Sequence, residues 1–475
     1  MARTRRAVGL MPGRNGLVDA QLVVIGGGAA GLAAARAGKR RGANVVLISD
    51  GPLGGDCTFT GCVPSKTLLA GARKQLTFPD AMANVRRTVA SIAAGENEQV
   101  LSDEGIVVVR ARAQFADATT LIVEGRRISP HRFVVATGAT PFVPPLEGLE
   151  LTQVLTSDTL FELETLPTTL TILGGGPIGV EMAEAFARLG SRVTVVEGGP
   201  RLLPREEPEA AQVMTSLLEE LGVTIIVAKS GTSVQRTPSG AHLVLDDGTS
   251  ISAPILLVAI GRTPSSSGFG LEAAGVEVDR RGFITVDRTL RTSSPRIYAA
   301  GDVSQTLQFT HVADETGRIA VTNALSKVVR RQFHPEWIPM VTYTSLEVAR
   351  VGKVESEVHH PRARVAYFPM ADLDRALTSG ETRGFVKLIV EPRRLTGSLG
   401  GGTLVGATIV APRAGEMLQE VVLAMRAGLW PARLATTTHA YPTWSIAVQQ
   451  AAAQFFGEFG GRRARGANDG DQPTE

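Results

Sequence analysis

The stretch QLVVIGGGAAGLAAARAGKRRGANVVLIS, residues 21–49, combines an apolar strand, a glycine-rich turn and an alanine-rich helix. The strand at 22–25 runs into Gly26-x-Gly28-x-x-Gly31, and a second apolar strand follows the helix. In a dinucleotide fingerprint the first glycine makes the tight turn, the second lets backbone approach a pyrophosphate, and the third lets helix pack on strand. The helix N-terminus then presents N–H groups to the phosphates. A nucleotide-binding unit is predicted, and the alternative is a glycine-rich turn that binds nothing.

The same plan returns at residues 169–197, TLTILGGGPIGVEMAEAFARLGSRVTVVE, with Gly174, Gly176 and Gly179 at the fingerprint positions. Each copy follows a strand, opens a helix and leads to a second strand, which is the context that supports a dinucleotide-binding function. The repetition predicts an α/β fold with two Rossmann-like dinucleotide-binding domains, each with its own cofactor.

Each unit closes with a related segment, RFVVATGATPFVPP around Gly138 and ILLVAIGRTP around Gly261. A later stretch, TSSPRIYAAGDV, places Gly301 and Asp302 directly after an apolar strand. A carboxylate at a strand end suits a hydrogen bond to a polyol hydroxyl of a cofactor. An aspartate in a surface turn is the alternative interpretation.

Composition places the 475 residues among globular proteins of two or three domains, at 43% hydrophobic and 20% charged. No stretch approaches the roughly 18–20 apolar residues of a membrane span, and the basic start has too short an apolar run for a secretory signal. A net charge of +3 with scattered arginines gives no nucleic-acid footprint. Two cysteines cannot build a secreted disulfide framework, so we expect a cytoplasmic protein without membrane or nucleic-acid partners.

From about residue 336 the sequence becomes rich in Val, Ile and Thr strands followed by two helical patterns, which indicates an α+β module without a nucleotide fingerprint. Both ends are polar or basic, and Met11 is an alternative to Met1 as the true start. The expected organisation is a disordered tail at 1–20, a first nucleotide domain at 21–150 and 289–335, a second at 151–288, the α+β domain at 336–461, and a disordered tail at 462–475.

The only cysteines of the sequence stand in CTFTGC, at Cys57 and Cys62. A structural zinc site needs four ligands, and the sequence has no second cysteine pair. The four-residue gap also excludes a thioredoxin-like CxxC motif. A redox pair on one helix remains, because residues five apart at its start can face each other roughly one turn apart. A helix N-terminus also stabilises a thiolate. Two free core cysteines placed together by chance are the alternative.

The segment GGDCTFTGCVPSK, residues 54–66, resembles the active site of the class I pyridine nucleotide-disulfide oxidoreductases. That family includes dihydrolipoamide dehydrogenase, glutathione reductase and mercuric reductase, and the wording here is closest to mercuric-reductase-like members. The resemblance covers residues 21 to 460 or so, with the motifs in family order. It implies FAD on the first fingerprint, a nicotinamide cofactor on the second, and a homodimer formed through the α+β domain.

The resemblance also implies roles for individual residues. Cys62 becomes the flavin-proximal thiol, Cys57 the outer interchange thiol, and Lys66 with Glu181 an ion pair near flavin and nicotinamide. Read alone, both charged residues could be ordinary helix surface charges. Asp302 is expected to hold the ribityl chain. The residues expected to contact the cofactors are Gly26, Gly28, Gly31, Asp50, Gly138, Gly301, Asp302, Gly174, Gly176, Gly179, Glu197 and Gly261, and no metal ligands are expected.

The end of the second strand in each fingerprint bears on cofactor choice. Glu197 can accept from a ribose 2′-OH and repels a 2′-phosphate, which favours NADH, while the nearby Arg201 leaves NADPH open. The first unit has Ser49 at this position and Asp50 next to it. Asp50, or more weakly Ser49, is expected to contact the FAD ribose.

The sequence departs from the family near its end. Disulfide-reducing members carry a segment resembling H-P-T-x-x-E, whose His acts as the base in the partner subunit's site. Here THAYPTWSIAVQQ puts Tyr441 at the His position and Ile446 at the Glu position. Tyrosine, with an ordinary pKa near 10, is a poor base at neutral pH. Whether His439, two residues earlier, takes over that role stays open.

Three functions are compatible with these motifs. The first is an FAD-dependent NAD(P)H oxidoreductase that passes electrons through the Cys57–Cys62 disulfide to a small-molecule acceptor of the mercuric-reductase or quinone/diaphorase type. The second is a dihydrolipoamide dehydrogenase whose base has been replaced. The third is an NADH-sensing flavoprotein with little turnover. A third cysteine is lacking, so the usual delivery of Hg(II) by a C-terminal cysteine pair is not available.

Overall fold

The computed structural model describes residues 20–238, 240–304, 307–326, 328 and 330–467. The predicted N-terminal tail, apart from Ala20, and residues 468–475 of the C-terminal tail lie outside the described residues. The α-helices are α1 (Ala29–Arg40), α2 (Gly55–Phe59), α3 (Cys62–Arg73), α4 (Phe78–Ala93), α5 (Glu98–Asp103), α6 (Pro177–Leu189), α7 (Pro208–Glu220), α8 (Thr310–Leu325), α9 (Asp374–Ser379), α10 (Ala414–Arg426), α11 (Pro431–Thr436) and α12 (Ile446–Ala453). In the described part of the chain, no helix is long and apolar enough to cross a membrane.

The strands are β1 (Leu22–Ile25), β2 (Val45–Ile48), β3 (Val107–Val109), β4 (Ala113–Asp117), β5 (Thr120–Val123), β6 (Arg126–Ile128), β7 (Arg132–Val135), β8 (Ala139–Pro141), β9 (Gln153–Leu155), β10 (Thr169–Leu173), β11 (Arg192–Glu197), β12 (Thr224–Val227), β13 (Gly231–Thr237), β14 (Gly240–Leu245), β15 (Ser250–Ser252), β16 (Ile255–Val258), β17 (Arg262–Pro264), β18 (Ile297–Ala299), β19 (Met340–Thr342), β20 (Glu347–Gly352), β21 (Arg364–Pro369), β22 (Phe385–Glu391), β23 (Thr403–Ala411) and β24 (Arg465–Gly466). Short 3₁₀ helices lie at Leu149–Leu151, Leu160–Glu162, Gly301–Val303, Pro335–Trp337, Glu355–Glu357, Met370–Asp372 and Leu399–Gly401.

The first unit is built on a five-stranded parallel sheet in the order β18-β7-β1-β2-β3. Alternate side chains of β1 enter two different cores: Leu22 and Val24 pack with α1 and α8, and Val23 and Ile25 pack with β4 and β5. Both faces of the sheet are covered, which is why the strands read as continuous apolar runs. Here α8 approaches α1 so closely that a Cβ at Gly317 would collide with backbone of α1.

The second unit repeats this architecture. Its parallel sheet has the order β12-β11-β10-β16-β9. Leu170 and Ile172 of β10 pack with α6 and α7, while Leu173 faces the antiparallel sheet β13-β14-β15. The predicted α/β class with two Rossmann-like domains is therefore confirmed.

The second unit ends earlier in the chain than predicted. Leu271, Ala274, Val276 and Ile284 pack into the core of the first unit, against β1 and β7, although they precede residue 289. The antiparallel ribbon of β8 and β17 joins the two units, and the chain returns to the first unit after it. The proline-, serine- and glycine-rich stretch PSSSGFG at 264–270 precedes this return, which lies about 20 residues before the predicted boundary at 289. The other boundaries stay predictions.

The third unit contains a six-stranded sheet in the order β19-β20-β23-β22-β21-β24, with α10 and α12 packed on it. Its outermost strand, β24, corrects a prediction. Residues 462–467 were expected to be disordered, but Val365 of β21 pairs with Arg465, whose guanidinium binds Glu355 at 2.5 Å. Pairing with an open sheet edge orders a polar segment that has no apolar pattern of its own.

Candidate active site

A single cleft of about 1930 Å³ brings the sequence-predicted residues of both nucleotide units together. Ordinary ligand pockets measure roughly 300–1000 Å³, so this cleft has room for more than one cofactor. The predicted site residues that line it are Gly26, Gly28, Asp50, Cys57, Cys62, Lys66, Gly138, Gly174, Gly176, Glu181, Glu197, Gly261, Gly301 and Asp302. Gly31, Gly179 and Tyr441 do not line it.

The glycine turns of the two units have the same geometry. A Cβ at Gly26 would collide with a carbonyl oxygen of the strand behind it, and one at Gly31 with the Gly26 carbonyl. Gly174 and Gly179 are crowded in the same way in the second unit. By contrast, no neighbouring atom lies within 4 Å of a Cβ placed on Gly176. The middle glycine therefore leaves open space beside exposed backbone, and this cradle fits the diphosphate of a dinucleotide in each unit.

Polar groups at the strand ends complete the first cradle. Asp302 lies in the short helix after β18, its side chain is 21% exposed, and burial raises its pKa to about 6. Ser49 is buried and donates to the Gly51 carbonyl at 3.0 Å, so its hydroxyl proton is already used. Asp50 is exposed and faces the cleft, which leaves it free for a ribose hydroxyl. These groups fit the ribityl and ribose parts of FAD.

The two cysteines occupy two helices rather than one. Cys57 lies inside the short helix α2, and Cys62 is the first residue of α3. The expectation of a single helix start holding both residues is wrong, because Gly61 interrupts the helix between them with non-helical backbone angles. Both thiols are free, and Cys62 Sγ lies 3.3 Å from Thr310 Oγ1.

The thiols have opposite tendencies to ionise. The hydrogen bond from Cys57 is the main cause that lowers the pKa of Cys62 to about 5, and Thr310 and Lys66 add to it against the opposing effect of burial. The same contact with Cys62, together with burial, raises the pKa of Cys57. The reduced pair therefore holds its negative charge on Cys62, at the N-terminus of α3, where a thiolate is favoured.

Lys66 of α3 and Glu181 of α6 form an ion pair, with Nζ 2.8 Å from Oε2. Glu181 is buried, and its other oxygen accepts the Tyr343 backbone N–H at 2.9 Å. Burial opposes the charge of Lys66, but the Glu181 carboxylate outweighs it and the pKa of Lys66 is raised. Lysine therefore keeps its positive charge beside Cys62.

The ribose end of the second unit is organised around Glu197. One carboxylate oxygen accepts the Gly175 N–H and the other the Gly199 N–H, both at 2.6 Å. Arg201 points elsewhere, since its guanidinium donates to the carbonyl oxygens of Pro204 and Glu206 at 3.3 and 3.2 Å. The carboxylate lines the cleft and the arginine does not.

The segment that departs from the family lies on the third unit. Tyr441 is 73% exposed, and its hydroxyl donates to Asp374 Oδ2 at 2.9 Å. That hydrogen bond raises the pKa of Tyr441, so the phenol stays neutral. His439 has both ring nitrogens engaged, Nδ1 with the Thr437 carbonyl at 2.9 Å and Nε2 with Glu420 at 3.0 Å. A carbonyl oxygen only accepts, so Nδ1 is the donor to Thr437, while Nε2 contacts the Glu420 carboxylate.

Three further residues contact the site although no sequence motif indicates them: Thr310, Tyr343 and Arg262. Thr310 lies 248 positions from Cys62 in the sequence, and no local pattern connects them. Arg262 follows a recognised glycine directly, which is a usable signal. It donates to the carboxylate of Asp56, the residue before Cys57, and its Nε lies 3.7 Å from Asp302 Oδ2.

Comparison with known proteins identifies the family. The pyridine nucleotide-disulphide oxidoreductase model matches residues 20–317, and the dimerisation domain of the same family matches residues 338–452. The chain belongs to this family. It is therefore an FAD-dependent oxidoreductase, of a family whose members use FAD and pyridine nucleotides.

Similar proteins carry several functional names. A mercuric reductase of Streptomyces lividans is 36% identical, over 91% of this chain and 96% of that protein. A dihydrolipoyl dehydrogenase of Thermus scotoductus is 32% identical, over 91% and 96%. Among solved structures, the Cu(II) complex of the HOCl-induced flavoprotein disulfide reductase RclA from Escherichia coli has a TM-score of 0.83 and 30% identity, covering 92% of this chain and 99% of that one. This oxidoreductase thus shares its whole architecture with enzymes that differ in name.

Proposed function

We propose that this oxidoreductase passes electrons from NADH through FAD to the Cys57–Cys62 pair and on to a quinone-type oxidant or Hg(II), rather than to lipoamide. The observation that carries this proposal is that the side chains of Tyr441 and His439 are both engaged in hydrogen bonds within the third unit. Tyr441 is held as a neutral hydrogen-bond donor, and His439 has both ring nitrogens committed. Neither side chain offers the basic nitrogen that thiol–disulfide exchange with lipoamide uses.

The reducing half of the reaction is supported by the buried residues. FAD, when bound beside these residues, would supply the transfer of an electron pair from the nicotinamide to the disulfide. Lys66, charged and held by Glu181 at 2.8 Å, provides a positive field at the place where Cys62 becomes a thiolate. Thr310 donates to the same sulfur at 3.3 Å. Asp302 and Asp50 would orient the cofactor through its hydroxyl groups.

The oxidising half determines which acceptor fits. Exchange with a disulfide substrate requires a proton to move between sulfur atoms, and general acid–base assistance contributes about 10²–10⁴ in rate. Hg(II) takes up two electrons without a proton, and a quinone can take its protons from water. Both acceptors therefore tolerate the loss of a base at Tyr441, whereas lipoamide does not.

Hg(II) is favoured as one candidate by the comparisons, because mercuric reductases with 32–36% identity span nearly the whole chain. Cys57 and Cys62 supply two sulfur ligands, of which Cys62 is the thiolate, and Tyr441 stands where the family base is replaced. A quinone is favoured by the cysteine count, since two cysteines leave no further pair to deliver the metal ion. Two thiols that must cycle between states suit a reducing cytoplasm.

NADH is the nicotinamide that the second cradle favours. Glu197 lines the cleft, and a 2′-phosphate would meet the negative charge of its carboxylate. Arg201 is bound to loop carbonyl oxygens and is not directed at the ribose. We further propose a homodimer in which Tyr441 faces the cleft of the second copy, consistent with the match to a dimerisation domain and with the exposure of Tyr441.

An anaerobic experiment tests the acceptor. The purified enzyme is reduced with NADH, the long-wavelength thiolate–flavin band is recorded, and reoxidation is followed with lipoamide, a soluble quinone and Hg(II) in parallel. We expect reoxidation by the quinone or Hg(II) to exceed that by lipoamide by about 10²-fold or more, the lower end of the base effect. Lipoamide reoxidation at an equal rate would overturn the proposal.

A further inference from the structure

We infer that Tyr343 is a positioning residue for Lys66 and Glu181, and that through them it keeps Cys62 ionised. The inference rests on the proposed function only in taking the reduced cysteine pair as the working state. Tyr343 follows β19, which belongs to the third unit, whereas Lys66 belongs to the first unit and Glu181 to the second. The three units meet at this residue.

The backbone of Tyr343 fixes Glu181. Its N–H donates to Glu181 Oε1 at 2.9 Å, leaving Oε2 for Lys66. One turn further along α6, Glu184 accepts the Ser345 N–H at 2.7 Å, so two carboxylates of one helix bind alternate N–H groups of one segment. These two hydrogen bonds hold segment 343–345 against α6. They fix the backbone position from which the Tyr343 side chain extends.

The ring of Tyr343 then holds Lys66. The Lys66 Nζ lies 4.9 Å from the ring centroid, within the range of a cation–π contact. The side chain of Lys66 is 35% exposed and faces the open cleft, so one carboxylate alone leaves the long chain free to rotate. The ring supplies a second contact on another side of the ammonium. Together they confine the charge near Cys62.

That confinement has a measurable consequence. The positive charge of Lys66 is one of the causes that lower the pKa of Cys62. A Lys66 that moves into the cleft contributes less to this effect. Tyr343 therefore acts on the thiolate without touching it.

The test compares Tyr343→Leu, which removes the aromatic face, with Tyr343→Phe, which keeps it. The holoenzyme is reduced with dithiothreitol, and carbamidomethylation of Cys62 by iodoacetamide is followed from pH 4 to pH 9, with mass spectrometry to separate it from Cys57. At pH 4, below the pKa of Cys62, we expect Tyr343→Leu to lower the fraction of Cys62 that reacts as thiolate by about 2- to 30-fold, the range of one cation–π contact. The conservative Phe variant should restore the wild-type profile.

A double-mutant cycle separates this role from a loss of folding. In a Lys66→Gln background the charge is gone, so adding Tyr343→Leu should leave the Cys62 profile where Lys66→Gln puts it. An unchanged profile in Tyr343→Leu overturns the inference, as does a Phe variant that behaves like the Leu variant. If Tyr343→Leu fails to fold, Tyr343→Met serves as the second non-aromatic variant. The alkylation profile uses no acceptor, so fast lipoamide reoxidation would overturn the proposed function and leave this inference standing.

Discussion

The reducing side and the acceptor side of this oxidoreductase are built in opposite ways. On the reducing side Glu181 is 3% exposed and binds groups from two other units. On the acceptor side Tyr441 is 73% exposed, and its hydroxyl donates to Asp374. Removing one member of a buried ion pair leaves an uncompensated charge, whereas an exposed side chain can change at little cost. The reducing side is therefore fixed by packing, and the acceptor side is the part of the molecule that can specialise.

Replacing Cys62 by serine is expected to give the largest loss of turnover. Turnover with Hg(II) should fall by at least about 10³-fold, the scale on which a missing nucleophile lowers kcat. A thermal midpoint near that of the wild type serves as the folding control. If quinone turnover survives in Cys62→Ser, the quinone takes electrons from the flavin directly. Undiminished Hg(II) turnover would contradict a role for the thiol pair.

Restoring the family base tests whether the acceptor side determines the use of lipoamide. The double variant Tyr441→His with Ile446→Glu should raise lipoamide turnover by about 10²-fold, the lower end of what a positioned base contributes. Steady-state rates with lipoamide at saturating NADH measure the gain. His439→Gln is the matched control, since it changes a neighbouring histidine already bound to Glu420. A drop in lipoamide turnover in that control would show that His439 is the base after all.

The reducing side also makes a prediction about cofactor choice. We expect kcat/KM for NADH to exceed that for NADPH by about 10- to 100-fold, the size of one hydrogen bond to a charged group. Glu197→Ala should bring the two values within a few-fold, because it removes both the acceptor and the repelling charge. Lys229→Gln is the control, as Lys229 lines the same cleft but is paired with Asp247 at 2.9 Å. Equal use of both cofactors by the wild type would contradict the assignment.

The smallest expected effect concerns how alkylation of Cys62 depends on pH. The pKa of Cys62 is lowered to about 5, so its thiolate is present above that value and is lost as the pH falls through it. Alkylation of Cys62 in the reduced enzyme should be level from pH 9 to pH 6 and fall about tenfold per pH unit below pH 5. Lys66→Gln should move the break to higher pH. A break near pH 8 in the wild type would mean that the surroundings of Cys62 do not stabilise its charge.

Much of the fold followed from local patterns. The two glycine fingerprints specify a strand–turn–helix each, because the crowding at Gly31 comes from Gly26 and Val24 in the same short segment. Local patterns could not predict that β24 is ordered. Arg465 is held there by a sheet edge and a carboxylate about 100 residues away in the chain. The same holds for Thr310, which reaches Cys62 from the start of α8.

By itself, the sequence determined the family, the two dinucleotide units and the identity of the cysteine pair, since these depend on short motifs with fixed spacing. It also showed that Tyr441 stands where a base is expected. Only the tertiary structure decided which thiol carries the charge, that His439 is committed to Glu420, and that Tyr343 joins Lys66 to Glu181. These properties depend on distances between side chains that spacing along the chain does not set, and Coulomb and hydrogen-bond energies change steeply with such distances.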